Sequence, residues 1–351
     1  MHMREKLEQL MHYALSRKAS DIHLTIQDHQ LFIQLRIEEK IVPLVQDIWD
    51  PKLFEYIKFL SGFDLTNPFL PQSGQFTWDT KDKKVFCRFS VIPNTELQTG
   101  VIRILNTGVN FEIEQLTEKK DHQDFLKSLV HARQGLVITC GPTNSGKTTT
   151  LHAIVHSIAI RSQHKVVSLE DPIEIEDPSY LQLQINEEIG FTYEKGIEEL
   201  LRHDPDVILI GETRNAYTAK MVIRTALTGA LAFTTLHASN TLEAIGRLKD
   251  LGISEYDLKN TLTALISQRL YTTGKGKECI YEILAGKDLQ FVLNHQRYPE
   301  GFNTLADEIK EALVSKRIQD AQAIHDLEDF QRGNGTVHDV DGKRIGYTFH
   351  D

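Results

Sequence analysis

Gly141-Pro142-Thr143-Asn144-Ser145-Gly146-Lys147-Thr148 satisfies the pattern G-x4-G-K-[ST] in full. Glycines at these spacings let successive backbone N–H groups wrap a β-phosphate, and the helix that follows aims its positive end at the anion. Lys147 is spaced to reach the β- and γ-phosphates, the Thr148 hydroxyl to bind Mg²⁺, and Thr149 continues the same helical turn. The chemistry implied is the binding of a nucleoside triphosphate with Mg²⁺ and cleavage of its terminal phosphate.

Such chemistry needs an acid near the phosphates, and two candidates end apolar runs. Glu212 follows Val207–Ile210 and Gly211, and Glu170 follows Val166–Leu169. Either can hold the Mg²⁺ shell or polarise the attacking water, and spacing alone does not divide the roles. Taken singly, each reads as readily as a surface carboxylate. His237 also lies beyond an apolar run, where it can sense a γ-phosphate or link neighbouring subunits, although a lone histidine is more often structural. Arg88 and Arg103 sit on candidate strands far upstream. Each is either an ordinary salt-bridged arginine or a group that neutralises phosphate across a domain or subunit boundary.

The elements that must position these residues follow from hydrophobic pattern. Leu136–Thr139, Val166–Leu169, Val207–Ile210 and Leu231–Leu236 are continuous apolar runs, each ending in small or polar residues. Runs of this kind suit parallel strands covered on both faces, and open α/β sheets bind ligands outside the carboxyl ends of their strands. All the candidate groups after these runs therefore point to one edge. Leu151, Ile154, Val155 and Ile158 give the helix after the phosphate loop a core-facing stripe.

Upstream, Leu31, Ile33, Leu35 and Ile37 alternate as a half-buried strand does, and Glu38-Glu39-Lys40 supplies a polar turn. KVFCRFSVI and GVIRILN read as two more strands, with Pro93, Asn94 and Gly100 breaking the chain between them. Residues 107–123 are polar and charged and read as a linker, and FLKSLVHARQ as a helix entering the phosphate-loop unit. After Leu251 the chain reads as mainly helical: DLKNTLTALISQRLY and TLADEIKEALVSKRI both show helical spacing.

Composition narrows the setting. Hydrophobic residues at 40% and charged residues at 25% suit globular domains with real cores. No run approaches the roughly 20 apolar residues of a membrane span. The N-terminal residues lack the apolar core of a signal peptide, so a cytoplasmic location is expected. Cys87, Cys140 and Cys279 are scattered without paired spacing, so neither disulfides nor zinc are expected. A net charge of −10 argues against direct DNA binding.

Taken together, these motifs resemble the secretion ATPase superfamily, the hexameric motors of type II secretion and type IV pili. The resemblance runs from about Ala19 to Leu284. ASDIHL (Ala19–Leu24) resembles the N-terminal-domain motif, SLEDPIE (Ser168–Glu174) the aspartate box, LRHDPDVILIGETRN (Leu201–Asn215) the Walker B region, and TGALAFTTLHASN (Thr228–Asn240) the histidine box. ISQRL and CIYEIL resemble the C-terminal landmarks. The resemblance implies Glu170 as catalytic base, Glu212 as Walker B acid, and Arg88 and Arg103 as the arginines that approach ATP. It also implies an α/β chain with a small N-terminal α/β domain (1–106), the linker, and a RecA-like P-loop NTPase domain (124–351) whose part from about 252 is helical.

This chain departs from the pattern at Asn144, where glycine is usual, at Ala230, where histidine is usual, and in ELQTGVIR before Arg103, which lacks the usual Gly-Glu-Lys. No long domain precedes ASDIHL, no tetracysteine insertion separates Leu270 from YEIL, and no retraction-motor AIRNLI segment follows. These omissions resemble the competence pseudopilus ATPase of Gram-positive bacteria. The implied partners are a homohexamer of the chain and a membrane platform protein, the implied cofactors ATP and Mg²⁺.

Overall fold

Leu31, Ile33 and Leu35 are buried while Gln30, Phe32 and Gln34 between them are exposed, the two-residue period of a strand with one covered face. The computed structural model describes residues 3–37, 40–44, 49–67, 70–80, 84–93, 97–105, 112–274, 276–333, 337–338 and 344–345. These fall into two compact units. One holds everything up to Ile104 together with Glu174–Glu176, and the other holds the remainder from Ile113 onward.

The first unit runs α1 (Met3–Ser16), β1 (Ala19–Gln27), β2 (Gln30–Ile37), β3 (Lys40–Pro43), α2 (Lys52–Leu60), β4 (Gln72–Asp79), β5 (Lys84–Pro93) and β6 (Leu97–Ile104). Its sheet has the order β3-β2-β1-β6-β5-β4, antiparallel throughout, so two meanders join through β1 and β6. Leu7, Leu10 and Met11 of α1 and Leu53, Phe54 and Ile57 of α2 share one core with Ile22, Leu24, Phe89 and Ile102. The turn expected at Glu38-Glu39, and Asn94, lie outside the described residues. Gly100 does not break the chain as expected. It lies inside β6, where a Cβ would come within 2.6 Å of the Phe89 ring. β4 escapes sequence reading because Phe76 is its one fully buried residue.

The second unit begins with α3 (Ile113–Leu116) and α4 (Lys120–Leu129), so helices occupy part of the expected linker. The reason is burial: Ile113, Leu116 and Leu126 pack into a core that the polar residues around them conceal. Then come β7 (Gly135–Cys140), α5 (Lys147–Arg161), β8 (Val166–Glu170), β9 (Leu181–Gln184), α6 (Tyr193–Arg202), β10 (Val207–Ile210), α7 (Ala216–Leu227), β11 (Leu231–Leu236), α8 (Thr241–Asp250), α9 (Glu255–Thr261), β12 (Leu262–Thr273), β13 (Gly276–Ala285), α10 (Gly286–His295), α11 (Leu305–Val314) and α12 (Ala321–Gly333). The sheet order is β13-β12-β7-β11-β10-β8-β9, parallel except for β13. Leu136 and Ile138 of β7 enter one core and Val137 the other, which is why the run shows no alternation.

The expectation of a mainly helical chain beyond Leu251 fails between Leu262 and Ala285, where β12 and β13 extend the sheet. A bulge between Leu262 and Ala264 puts Leu262 and Leu265 into one core, while Ala264 and Ile266 enter the other. The bulge mimics helical spacing in a strand buried on both sides. Helices α10, α11 and α12 follow, and α11 and α12 close a small core over Tyr271 and Ile280.

His122 of α4 is buried beside Lys119 and Arg317, and desolvation, then these cations, push its pKa down from 6.5 to about 4. Between those values the unfolded chain takes up a proton that the folded chain refuses, so stability drops as pH falls through the window. His122→Gln is expected to remove up to about 3 kcal/mol of that pH dependence. Urea denaturation of both proteins at pH 7 and pH 4.5 measures it. Burial raises the pKa of Glu308, whose carboxylate lies 3.8 Å from the His122 ring, and this pulls the opposite way.

Candidate functional site

The phosphate loop joins the end of β7 to the start of α5. Gly141 has φ 150° and Gly146 φ 85°. A Cβ on Gly141 would lie 2.6 Å from the Gln268 carbonyl oxygen, and one on Gly146 would lie 3.2 Å from both Gln268 Nε2 and Cys279 Sγ. Both positions therefore demand glycine. Asn144 adopts φ 64°, a left-handed conformation that asparagine tolerates better than other side chains, so the departure from glycine leaves the loop its shape. Gln268 of β12 supports the loop from below, donating to the Ser145 carbonyl at 2.6 Å.

No side chain caps α5, so its first N–H groups are the donors that the helix offers an anion. Ser145 Oγ is buried without a hydrogen-bond partner inside the loop. The Lys147 ammonium, nearly buried, donates to the carbonyls of Gly141 and Pro142 at 2.9 and 2.8 Å. Thr148 and Thr149 are half-buried on the first turn of α5, and Pro142 and Thr143 are exposed at the rim. An uncapped helix, a glycine cradle and an orphaned hydroxyl fit a phosphate chain. Among the described residues no cluster of three or more His, Cys, Asp or Glu could hold a metal ion. A hard cation at Thr148 and Glu212 would complete its shell with phosphate oxygens and water.

Beyond β10, Glu212 is held between Arg214 and His237. Arg214 Nε donates to one carboxylate oxygen at 2.8 Å, and His237 Nε2 lies 3.1 Å from the other. Arg214 also approaches Asp171 at 3.9 Å. Pairing with Glu212 raises the Arg214 pKa further. Thr235 of β11 fixes the spacing of the strand ends by donating to the Gly211 carbonyl at 2.7 Å. Glu212 and His237, read separately from sequence, are thus one cluster. Arg214 was missed, although its place two residues after an acid at a strand end is a usable signal.

Glu170 faces the other way, into the protein. It is 3% exposed, and its carboxylate accepts from Ser168 Oγ at 2.6 Å and Gln182 Nε2 at 3.2 Å, with His152 Nε2 at 3.1 Å. Arg88 and Arg103 belong to the first unit, directly opposite each other on β5 and β6. Arg103 Nε donates to the buried carboxylate of Asp21 at 2.9 Å, and Arg88 is exposed. Asp21 lies in the ASDIHL segment.

The family model described as type II/IV secretion system protein matches residues 2–322. The chain belongs to that family. It is 32% identical to competence protein ComGA of Bacillus subtilis (strain 168) over 331 residues, 87% of this chain and 92% of that one. To ComGA of Halalkalibacterium halodurans it is 32% identical over 335 residues, 90% and 96% of the two chains. Among solved structures, the pilus retraction motor PilT with bound ADP is 22% identical and matches with a TM-score of 0.70, covering 92% of this chain and 98% of that one. At that identity the match speaks for the fold, a RecA-like α/β domain preceded by a smaller α/β one.

Within a member of the type II/IV secretion family, His152, Tyr180 and Gln182 are further residues that sequence reading missed. His152 carried a signal: it is a polar residue within the apolar run Leu151–Val155 of α5. Ala230, where a histidine was expected by resemblance, is buried just before β11. Among the described residues no helix is long and apolar enough to cross a membrane.

Proposed function

We propose that this secretion-family chain is a Mg²⁺-dependent ATPase motor that powers assembly of a competence pseudopilus for uptake of transforming DNA. It works as a homohexamer in the cytoplasm, docked on a membrane platform protein, without binding DNA itself. Carrying this reading is the similarity to ComGA over most of both chains, joined to a loop built for a phosphate chain. Lys147 exchanges its loop carbonyls for the β- and γ-phosphate oxygens of ATP. Glu170 takes a proton from the attacking water. Thr148 and Glu212 hold Mg²⁺, which when bound neutralises charge on the transferred phosphoryl group. His237, beside Glu212, senses whether the terminal phosphate is present, and Arg88 and Arg103 neutralise phosphate at a domain or subunit boundary.

The competing reading is a nucleotide-dependent scaffold with little turnover. A strain lacking the gene, complemented with wild type or with Glu170→Gln, separates the two. The motor reading expects wild type alone to restore transformation, with Glu170→Gln down by at least roughly 10²-fold. Equal rescue by both would hand the function to the scaffold, and a deletion without effect on transformation would place the motor in another secretion or pilus system.

A further inference from the structure

Helix α5 begins with the phosphate-loop lysine and, five residues on, places His152 against Glu170. The carboxylate is acceptor-only when ionised, so the bond of 3.1 Å between His152 Nε2 and Glu170 Oε2 requires the proton on Nε2. In the neutral ring Nδ1 is then an acceptor, and the Tyr180 hydroxyl lies 2.6 Å from it. Burial, with Glu170 and Asp177 nearby, pushes the Tyr180 pKa far above its usual value, so the phenol keeps its proton and donates it to Nδ1. Tyr180 thus selects the tautomer, and the tautomer points a donor at Glu170.

Two further donors fix the other oxygen. Ser168 Oγ and Gln182 Nε2 both donate to Glu170 Oε1, at 2.6 and 3.2 Å. The Gln182 amide cannot flip, because its oxygen accepts from the Asp177 N–H at 2.6 Å. Asp177 is in turn held by His156, one helical turn beyond His152, at 2.6 Å. A carboxylate offers about four lone-pair positions. Three are taken, and the remaining one lies on Oε2, the oxygen that His152 holds.

We infer that His152 is a positioning residue, fixed by Tyr180, that orients Glu170 so that its one open lone pair accepts the proton of the attacking water. This rests on the reading of Glu170 as the base. It makes α5, which carries both Lys147 and His152, a link between the phosphate-binding lysine and the base at the end of β8.

The test is steady-state ATP hydrolysis by the full-length chain, with fluorescent ATP-analogue binding measured alongside. His152→Ala is expected to lower kcat ten- to a hundredfold, as loss of an orienting partner does, and to leave KM and analogue affinity within about threefold. His152→Gln, whose amide can still donate, is expected to recover most of kcat. Tyr180→Phe keeps the ring packing, removes only the donor to Nδ1, and is expected to lose roughly three- to tenfold in kcat. It keeps the proposal open to refutation should His152→Ala fold poorly. In a Glu170→Gln background, His152→Ala should add no further loss. Wild-type kcat in His152→Ala or Tyr180→Phe while Glu170→Gln is inactive overturns the role of His152 alone. A loss seen in KM, or of equal size in the Glu170→Gln background, also overturns it, because the effect would then reach the phosphate loop by packing. Full turnover in Glu170→Gln removes the base assignment and this proposal with it.

Discussion

Replacing Lys147 with alanine is expected to lower kcat/KM for ATP by at least roughly 10²–10³-fold, in line with the loss of one donor aimed at transition-state charge. The Lys147 ammonium is already inside the loop, bonded to the Gly141 and Pro142 carbonyls and only 9% exposed. A cation held there needs little reorganisation to meet phosphate oxygens, and partial exclusion of water strengthens the interaction. The fold should survive, because Pro142 is exposed at the rim and its carbonyl can exchange the lost donor for water. Phosphate release by the purified chain, with circular dichroism as the control for folding, makes the measurement. Unchanged turnover would sink the assignment of the site.

Glu282→Ala is expected to cost about 3–5 kcal/mol of stability. The carboxylate is 1% exposed on β13 and accepts four bonds. Thr241 N and Oγ1 and the Tyr298 hydroxyl donate to one oxygen at 2.8, 2.6 and 2.9 Å, and Leu305 N to the other at 2.7 Å. Alanine strands the buried N–H groups of Thr241 and Leu305 and leaves the Thr241 and Tyr298 hydroxyls only each other, 3.2 Å apart. Glu282→Gln keeps the crowded oxygen but turns an amide N–H toward the N–H of Leu305, so about half the loss is expected. Denaturation followed by circular dichroism measures the loss. An unshifted dichroism midpoint would show that water or movement of α8 satisfies the stranded donors.

What the sequence disclosed, and what it hid, has a physical pattern. The phosphate loop was legible because its chemistry is local: three backbone positions with positive φ and one lysine lie within a single short segment. The central strands were legible because burial on both faces leaves uninterrupted apolar runs, as in Val207–Ile210. β12 was not, since its bulge reproduces helical spacing and only pairing with β7, distant in sequence, decides the matter. The surroundings of Glu170 were hidden for the same reason. Gln182 on β9 and Tyr180 just before it reach the carboxylate because β9 pairs with β8, and no periodicity records that. His152 was visible as a polar residue in an apolar run, but its partner was not. Glu212 and His237 were read as separate candidates and meet only because β10 and β11 are neighbours in the sheet.

The support of the phosphate loop by Gln268 bears on how the protein is made. Ser145 and Gln268 are 123 residues apart in the chain. At ordinary translation rates of about 5–20 residues per second, the loop leaves the ribosome roughly 6–25 s before the strand that underpins it. During that interval the core of the first unit, whose residues all precede the loop, is free to form. The phosphate loop, although its motif stands near the middle of the chain, gains its support only after Gln268 has been made.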